Sequence, residues 1–155
     1  MKTLLAVDLG IKTGLALYGE DGRLIWYRSS NFGSTSRLRR GAGAILRDTS
    51  NLAWLVLEGG GILAEIWQKE ADRRQIPLLQ FSAETWRRGL LYPRQQRSGR
   101  QAKQHADRLA RRVIEWSEAP RPTALRHDTA EAILVGLWGV LQVGWLAELP
   151  AAVRI

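Results

Sequence analysis

The stretch Thr3-Leu4-Leu5-Ala6-Val7-Asp8-Leu9-Gly10-Ile11-Lys12-Thr13-Gly14-Leu15-Ala16-Leu17-Tyr18 decides the fold. Thr3–Leu9 reads as a buried strand, since a short apolar run without polar alternation suits a sheet covered on both faces. Gly10–Gly14 is a turn and Gly14–Tyr18 a second strand. Gly19-Glu20-Asp21-Gly22 has the composition of a tight hairpin turn. Arg23–Ser30 follows as a third strand, with Leu24, Trp26 and Arg28 alternating against Ile25 and Tyr27. Three strands joined this closely predict an antiparallel meander.

Beyond the meander, the period changes. Ser36–Ser50 is helical, with Leu38, Ala42, Ile45 and Leu46 on one face. Leu52–Leu57 is an almost unbroken apolar strand, Gly61–Arg74 a helix and Ile76–Phe81 a further strand. Helices are expected at Ala83–Leu91, at Arg100–Ser117 and, after the Pro120-Arg121-Pro122 break, at Thr129–Val143. The order β-β-β-α-β-α-β-α-α-α predicts an α/β fold, with a mixed five-stranded sheet flanked by helices. No repeat or linker interrupts residues 1–155, so one domain is expected, and that length buries about 70% of its unfolded surface. Gly144–Ile155 is an apolar tail that either packs on the body or joins an interface.

Composition removes several classes of chemistry. There is no cysteine, hence no disulfide framework, thiolate zinc site or thiol nucleophile, which suits a reducing cytoplasm. The apolar run at the N-terminus is too short for a signal peptide, and no stretch approaches the ~18 apolar residues of a membrane span. The net charge of +8 is localised. Arg87, Arg88, Arg94, Arg97, Arg100, Lys103, Arg108, Arg111 and Arg112 face Asp107 alone, and the remainder of the chain is balanced. One basic segment implies a polyanionic partner, most commonly nucleic acid, or else a merely solvated face.

Four acids stand where a fold gains little from them. Asp8 and Glu58 end apolar strands, and Asp128 and Glu131 open an apolar helix. Each has an ordinary explanation. Asp8 could serve a turn and Glu58 a solvated strand end. Asp128-Thr129-Ala130-Glu131 taken alone fits a capping box. Together they say more. The first and fourth strands can be parallel neighbours, which places Asp8 and Glu58 at one end of the sheet, where such folds carry their sites. Residues three apart on a helix share a face, so Asp128 and Glu131 can point to the same place. Clustered carboxylates repel, and oxygen-only ligands suit Mg²⁺ or Mn²⁺ rather than zinc. Two such ions roughly 4 Å apart form the two-metal arrangement for phosphodiester hydrolysis, with Asp8 on the central strand as the bridging candidate.

Val7-Asp8-Leu9-Gly10-Ile11-Lys12-Thr13-Gly14, Val56-Leu57-Glu58 and His127-Asp128-Thr129-Ala130-Glu131-Ala132, in this order, resemble the RuvC family of Holliday-junction resolvases, the phage-type members most of all. Ile76-Pro77, Glu84-Thr85-Trp86-Arg87 and Ala102-Lys103 extend the resemblance over about Leu4 to Gly139. It implies a ribonuclease H-like fold, a homodimer and Mg²⁺-dependent paired nicks across four-way DNA. By motif, Asp8, Glu58, Asp128 and Glu131 are the implied metal-binding and catalytic acids. Glu131 stands where an aspartate is usual. Lys103 matches a basic residue near the scissile phosphate, and Lys12, Arg87, Arg88, Arg94, Arg97 and Arg100 are further candidates for DNA contact. His127 either adjoins the site functionally or is a hydrogen-bonded structural histidine. Family members usually carry a longer loop after the strand glutamate, often with an aromatic wedge. Here Glu58 passes through Gly59-Gly60-Gly61 into a helix, and the Tyr92–Gly99 loop is the remaining place for stacking and phosphate contacts.

Three alternatives stand beside this one. A YqgF-type RNA-processing nuclease shares the first motif, but its middle motif is absent. An actin-like nucleotide-binding module needs two such domains. A non-catalytic nucleic-acid-binding module would use Arg87–Arg112 alone, and metal dependence separates it from the enzymes.

Overall fold

A computed structural model describes residues 1–92 and 97–154. Its elements are β1 (Thr3–Asp8), β2 (Lys12–Gly19), β3 (Leu24–Asn31), α1 (Thr35–Asp48), β4 (Leu52–Glu58), α2 (Gly61–Arg73), β5 (Leu78–Phe81), α3 (Ala83–Leu90), α4 (Gly99–Ser117) and α5 (His127–Gln142). The order of elements is the one the sequence predicts. Strands lie as β3-β2-β1-β4-β5 in one mixed sheet. The meander β1-β2-β3 is antiparallel, while β4 and β5 add in parallel with β1.

Boundaries shift where a local bond intervenes. β2 begins at Lys12 rather than Gly14, because Thr13 Oγ1 donates to the Gly10 carbonyl at 2.6 Å and closes the turn early. β5 begins at Leu78 rather than Ile76. Pro77 has no N–H for the ladder and contributes only its carbonyl, which accepts from Leu55 N at 2.9 Å.

The central strand is buried on both faces, and its side chains divide between two cores. Leu4 and Ala6 join Ala16, Tyr18 and Val56 under α3, α4 and α5. Leu5 and Val7 join Leu15, Leu17, Leu55 and Leu57 under α1 and α2. α5 is enclosed over most of its length, from Thr129 to Val140. It reaches the sheet through a glycine. A Cβ on Gly136 would sit 2.2 Å from the Tyr18 ring, whose hydroxyl donates to the Ile133 carbonyl at 2.5 Å. The C-terminal tail packs on the body: Val153 is buried in the α5 core, and Arg112 Nη1 donates to the Arg154 carbonyl at 2.6 Å. Among the described residues no helix is long and apolar enough to cross a membrane.

Gly136→Ala should force α5 off Tyr18. Overpacking of this kind costs about 1–3 kcal/mol, and each kcal/mol corresponds to roughly 2–4 °C in a chain of this size. Thermal unfolding followed by circular dichroism would show the drop, and an unchanged midpoint would mean that the helix tolerates the added methyl.

Candidate active site

The site is assembled at the carboxyl end of β1. Asp8 is the last residue of that strand and pairs in parallel register with Glu58, the last residue of β4. On its other side Asp8 pairs with Gly14 of β2. That glycine admits the third component. A Cβ at position 14 would lie 1.9 Å from the Asp128 carbonyl oxygen, so only glycine lets the first turn of α5 come this close to the sheet. Glu131 follows on the same helix and is only 3% exposed.

The capping-box reading of Asp128 and Glu131 is overturned. The N-cap is Arg126, which makes no side-chain capping bond, and Asp128 is the second residue of the helix. Its carboxylate has other partners: Oδ1 accepts from Thr129 N at 2.8 Å, and Oδ2 from Ser29 Oγ of β3 at 2.7 Å. Glu131 does not reach back to the helix start. Its Oε1 accepts from Arg87 Nη2 of α3 at 2.9 Å and lies 3.1 Å from His127 Nε2. Asp128 is thus held by the helix amide and by β3, and Glu131 by Arg87 and His127, so both acids are fixed in place beside the strand ends.

The four acids share one electrostatic environment. Burial pushes the Asp8 carboxyl from 3.8 up to about 9, aided by Glu58 through hydrogen bonding and charge, then by the charges of Glu131 and Asp128. Glu131 is also raised, chiefly by burial and then by Glu58. Arg87 and His127 act in the opposite direction. Asp8 is thereby biased toward its protonated form, chiefly by burial and then by its acidic neighbours.

Among the described residues no three Asp, Glu or His side chains converge closely enough to hold one ion as they stand. The donor set nonetheless suits a hard divalent cation. It is all oxygen, and Glu58 Oε2 and Glu131 Oε2 are buried with no hydrogen-bond partner. Buried carboxylate oxygens without partners are costly, and a cation beside Asp8 and Glu58 would satisfy them while displacing the Asp8 proton.

The basic candidates divide by location. Lys12, Arg88, Arg97, Arg100 and Lys103 are exposed, and Arg88 pairs with Glu84. Arg94 lies outside the described residues. Arg87 turns inward to Glu131, with its guanidinium 5.2 Å from the Trp86 ring centroid. Neither this ion pair nor the Ser29 bond is evident in the sequence. Ser29 could be suspected only from its place two residues after Tyr27, on the same face of β3.

No protein-family model matches the sequence, and no curated protein matches it. Among solved structures, T. thermophilus RuvC in complex with Holliday junction substrate aligns with a TM-score of 0.65 at 16% identity, over 93% of this chain and 96% of that one. The chain has the RuvC fold. The sheet order and the flanking helices are those of this ribonuclease H-like architecture.

The raised Asp8 carboxyl fixes a direction of pH dependence. Its folded value, about 9, exceeds its ordinary 3.8, so the native state holds the extra proton between these values. The stability tied to that proton is complete below about pH 4 and is lost as pH rises through about 9. In EDTA, the melting temperature of the wild type should fall from pH 6 to pH 9 more steeply than that of Asp8→Asn. Parallel curves would show that Asp8 is not held protonated.

Proposed function

We propose that the chain is a single ribonuclease H-like domain acting as a divalent-metal-dependent endodeoxyribonuclease, which resolves four-way DNA junctions by paired nicks. One observation carries the reading: Asp8, Glu58, Glu131 and Asp128 form a partly buried acidic cluster at the carboxyl end of the central strands of a RuvC-like sheet. A solvated cap or turn would not explain an Asp8 carboxyl held to about 9 or two orphaned carboxylate oxygens. The structural neighbour is a RuvC bound to a junction substrate, and the chain aligns with it over nearly its whole length. The motif resemblance favours a phage-type resolvase. A junction offers two equivalent strands, so paired nicks call for two sites and a homodimer. The expected setting is the cytoplasm.

In this mechanism Asp8, Glu58, Asp128 and Glu131 would hold two Mg²⁺ ions, for which Mn²⁺ could substitute. The chemistry such cations would supply there is acidification of an attacking water and stabilisation of the leaving oxygen. The protein's own groups set the stage. Ser29 and the Thr129 amide fix both oxygens of Asp128, so that carboxylate is oriented before any ligand arrives. Arg87 and His127 both engage Oε1 of Glu131 and leave Oε2 for the cluster. Arg97 lies exposed just before α4, and Arg100 and Lys103 lie exposed at its start, where all three can meet backbone phosphates.

The alternative is an RNA-processing nuclease of the YqgF type. The bare Gly59-Gly60-Gly61 connection favours keeping it in view, because no aromatic wedge follows Glu58. Labelled duplex, flap, four-way and RNA–DNA substrates, each with Mg²⁺, Mn²⁺ or EDTA, separate the two. Symmetric nicks confined to the four-way substrate are expected, whereas cutting of RNA-containing substrates alone would favour the alternative.

Asp8→Asn should abolish Mg²⁺-dependent nicking while junction binding persists. Undiminished cleavage would remove the acids from the chemistry. Replacing Arg100 and Lys103 by alanine should weaken junction binding and flatten its salt dependence, by roughly 0.9 of slope for each phosphate no longer neutralised. A slope that stays the same would take this helix out of the interface.

A further inference from the structure

A second basic feature lies outside the Arg87–Arg112 segment. A cleft of about 350 Å³ runs between β3 and the chain that links α4 to α5. Trp26, Tyr27, Arg28 and Ser29 all line it. Alternate residues would line one face of a strand, so four in succession mean that the cleft runs along the open edge of β3, the outermost strand on that side. The opposite wall contains Arg121 and Arg126. This wall is tied to the strand: Tyr27 Oη donates to the Pro120 carbonyl, Arg23 Nη1 to the Trp116 carbonyl, and Leu24 N to Ser117 Oγ at 2.9 Å. The cleft is therefore an open groove, braced by these bonds to the linking chain and to the end of α4, and of a size usual for ligand sites.

Its charge is of one sign. None of the lining residues is acidic, and the side chains of Arg28, Arg121 and Arg126 are exposed. Among the described residues no carboxylate forms an ion pair with any of the three. Arg28 is already oriented, its guanidinium 4.9 Å from the Trp26 ring centroid, which reduces the freedom it would lose on binding. The channel also leads somewhere. Ser29 and Thr129 line it, and both bond the carboxylate of Asp128.

We propose that this cleft binds a single nucleic-acid strand, with phosphates against Arg28, Arg121 and Arg126, and carries that strand to or from the carboxylates. The proposal rests on the nuclease reading for the strand's destination, though not for its binding. An acidic peptide adding a strand to the β3 edge is the competing occupant. Continuity with Asp128 favours the nucleic acid, since a peptide gains nothing from leading to a cluster of acids.

The test uses the full chain in EDTA. A fluorescein-labelled oligothymidylate and a four-way junction are titrated by anisotropy against wild type, the Arg28→Ala/Arg126→Ala double variant and an Arg47→Ala control. Arg47 lies in the last turn of α1 and is bonded to Asp48. The double variant should bind oligothymidylate at least tenfold more weakly, with a salt slope shallower by about 1.4 once two phosphates of the single strand go unneutralised, while the control matches wild type. Independently of any variant, 4-thiothymidine in the oligonucleotide should crosslink within 24–31 or 120–126 of the wild type. Unchanged affinity and slope, with crosslinks elsewhere, would overturn the proposal. So would a polyglutamate peptide whose binding alone is lost in the double variant. Cleavage with Mg²⁺ separates the two readings. If wild type cuts no branched DNA yet the double variant loses the strand, the cleft stands and the nuclease falls. If wild type cuts and the double variant binds and cuts equally well, the cleft falls alone.

Discussion

Mutual repulsion among carboxylates is the constraint on which the rest of this structure depends. Asp8 and Glu58 are set side by side by the parallel β1–β4 register, and Asp128 and Glu131 are brought against them by α5. Folding must work against that repulsion and against burial. The molecule offsets it by a raised Asp8 pKa that favours the neutral carboxyl, by hydrogen bonds from Ser29 and Thr129 to Asp128, and by two nitrogen partners for Glu131. The apolar layers on both sides of β1 supply the stability that makes such a site tolerable.

Two glycines connect this electrostatic problem to packing. Gly14 and Gly136 let α5 lie directly on β2, one at the site and one deeper in the core. The helix is thus anchored at two levels, and Asp128 is fixed by backbone approach as well as by side-chain bonds. A helix held only by an apolar stripe has rotational latitude, which these two close approaches restrict.

Much of this was legible in the sequence. The order of elements and the buried character of α5 follow from the apolar runs and their periods, and the strand-end places of Asp8 and Glu58 from two such runs that end abruptly on an acid. The start of α5 was not legible. Aspartate three residues before glutamate is ambiguous between a cap and an inward-facing pair, and the ambiguity is resolved by Ser29, which comes from a distant strand and claims the Asp128 side chain. Arg87 was misleading for a similar reason. In a run of arginines it reads as one more phosphate ligand, but the proximity of α3 to α5 turns it toward Glu131. Long-range partners of polar side chains leave no periodic trace, and such partners set how Asp128 and Glu131 are held here.

The connection from β4 to α2 has a further consequence. Gly59 and Gly61 have φ values of +116° and +77°, and a Cβ at Gly60 or Gly61 would meet nothing within 4 Å. Gly59 is held against Leu9 and bonds the Phe81 carbonyl, whereas Gly60 and Gly61 stand clear of the core. Their junction is therefore a splice point. A loop of another length, carrying aromatic or basic side chains, could be inserted between Gly60 and Gly61 beside the acids without disturbing either apolar layer. A change of length confined to this one turn would therefore alter what stands beside the strand-end acids while leaving both apolar layers as they are.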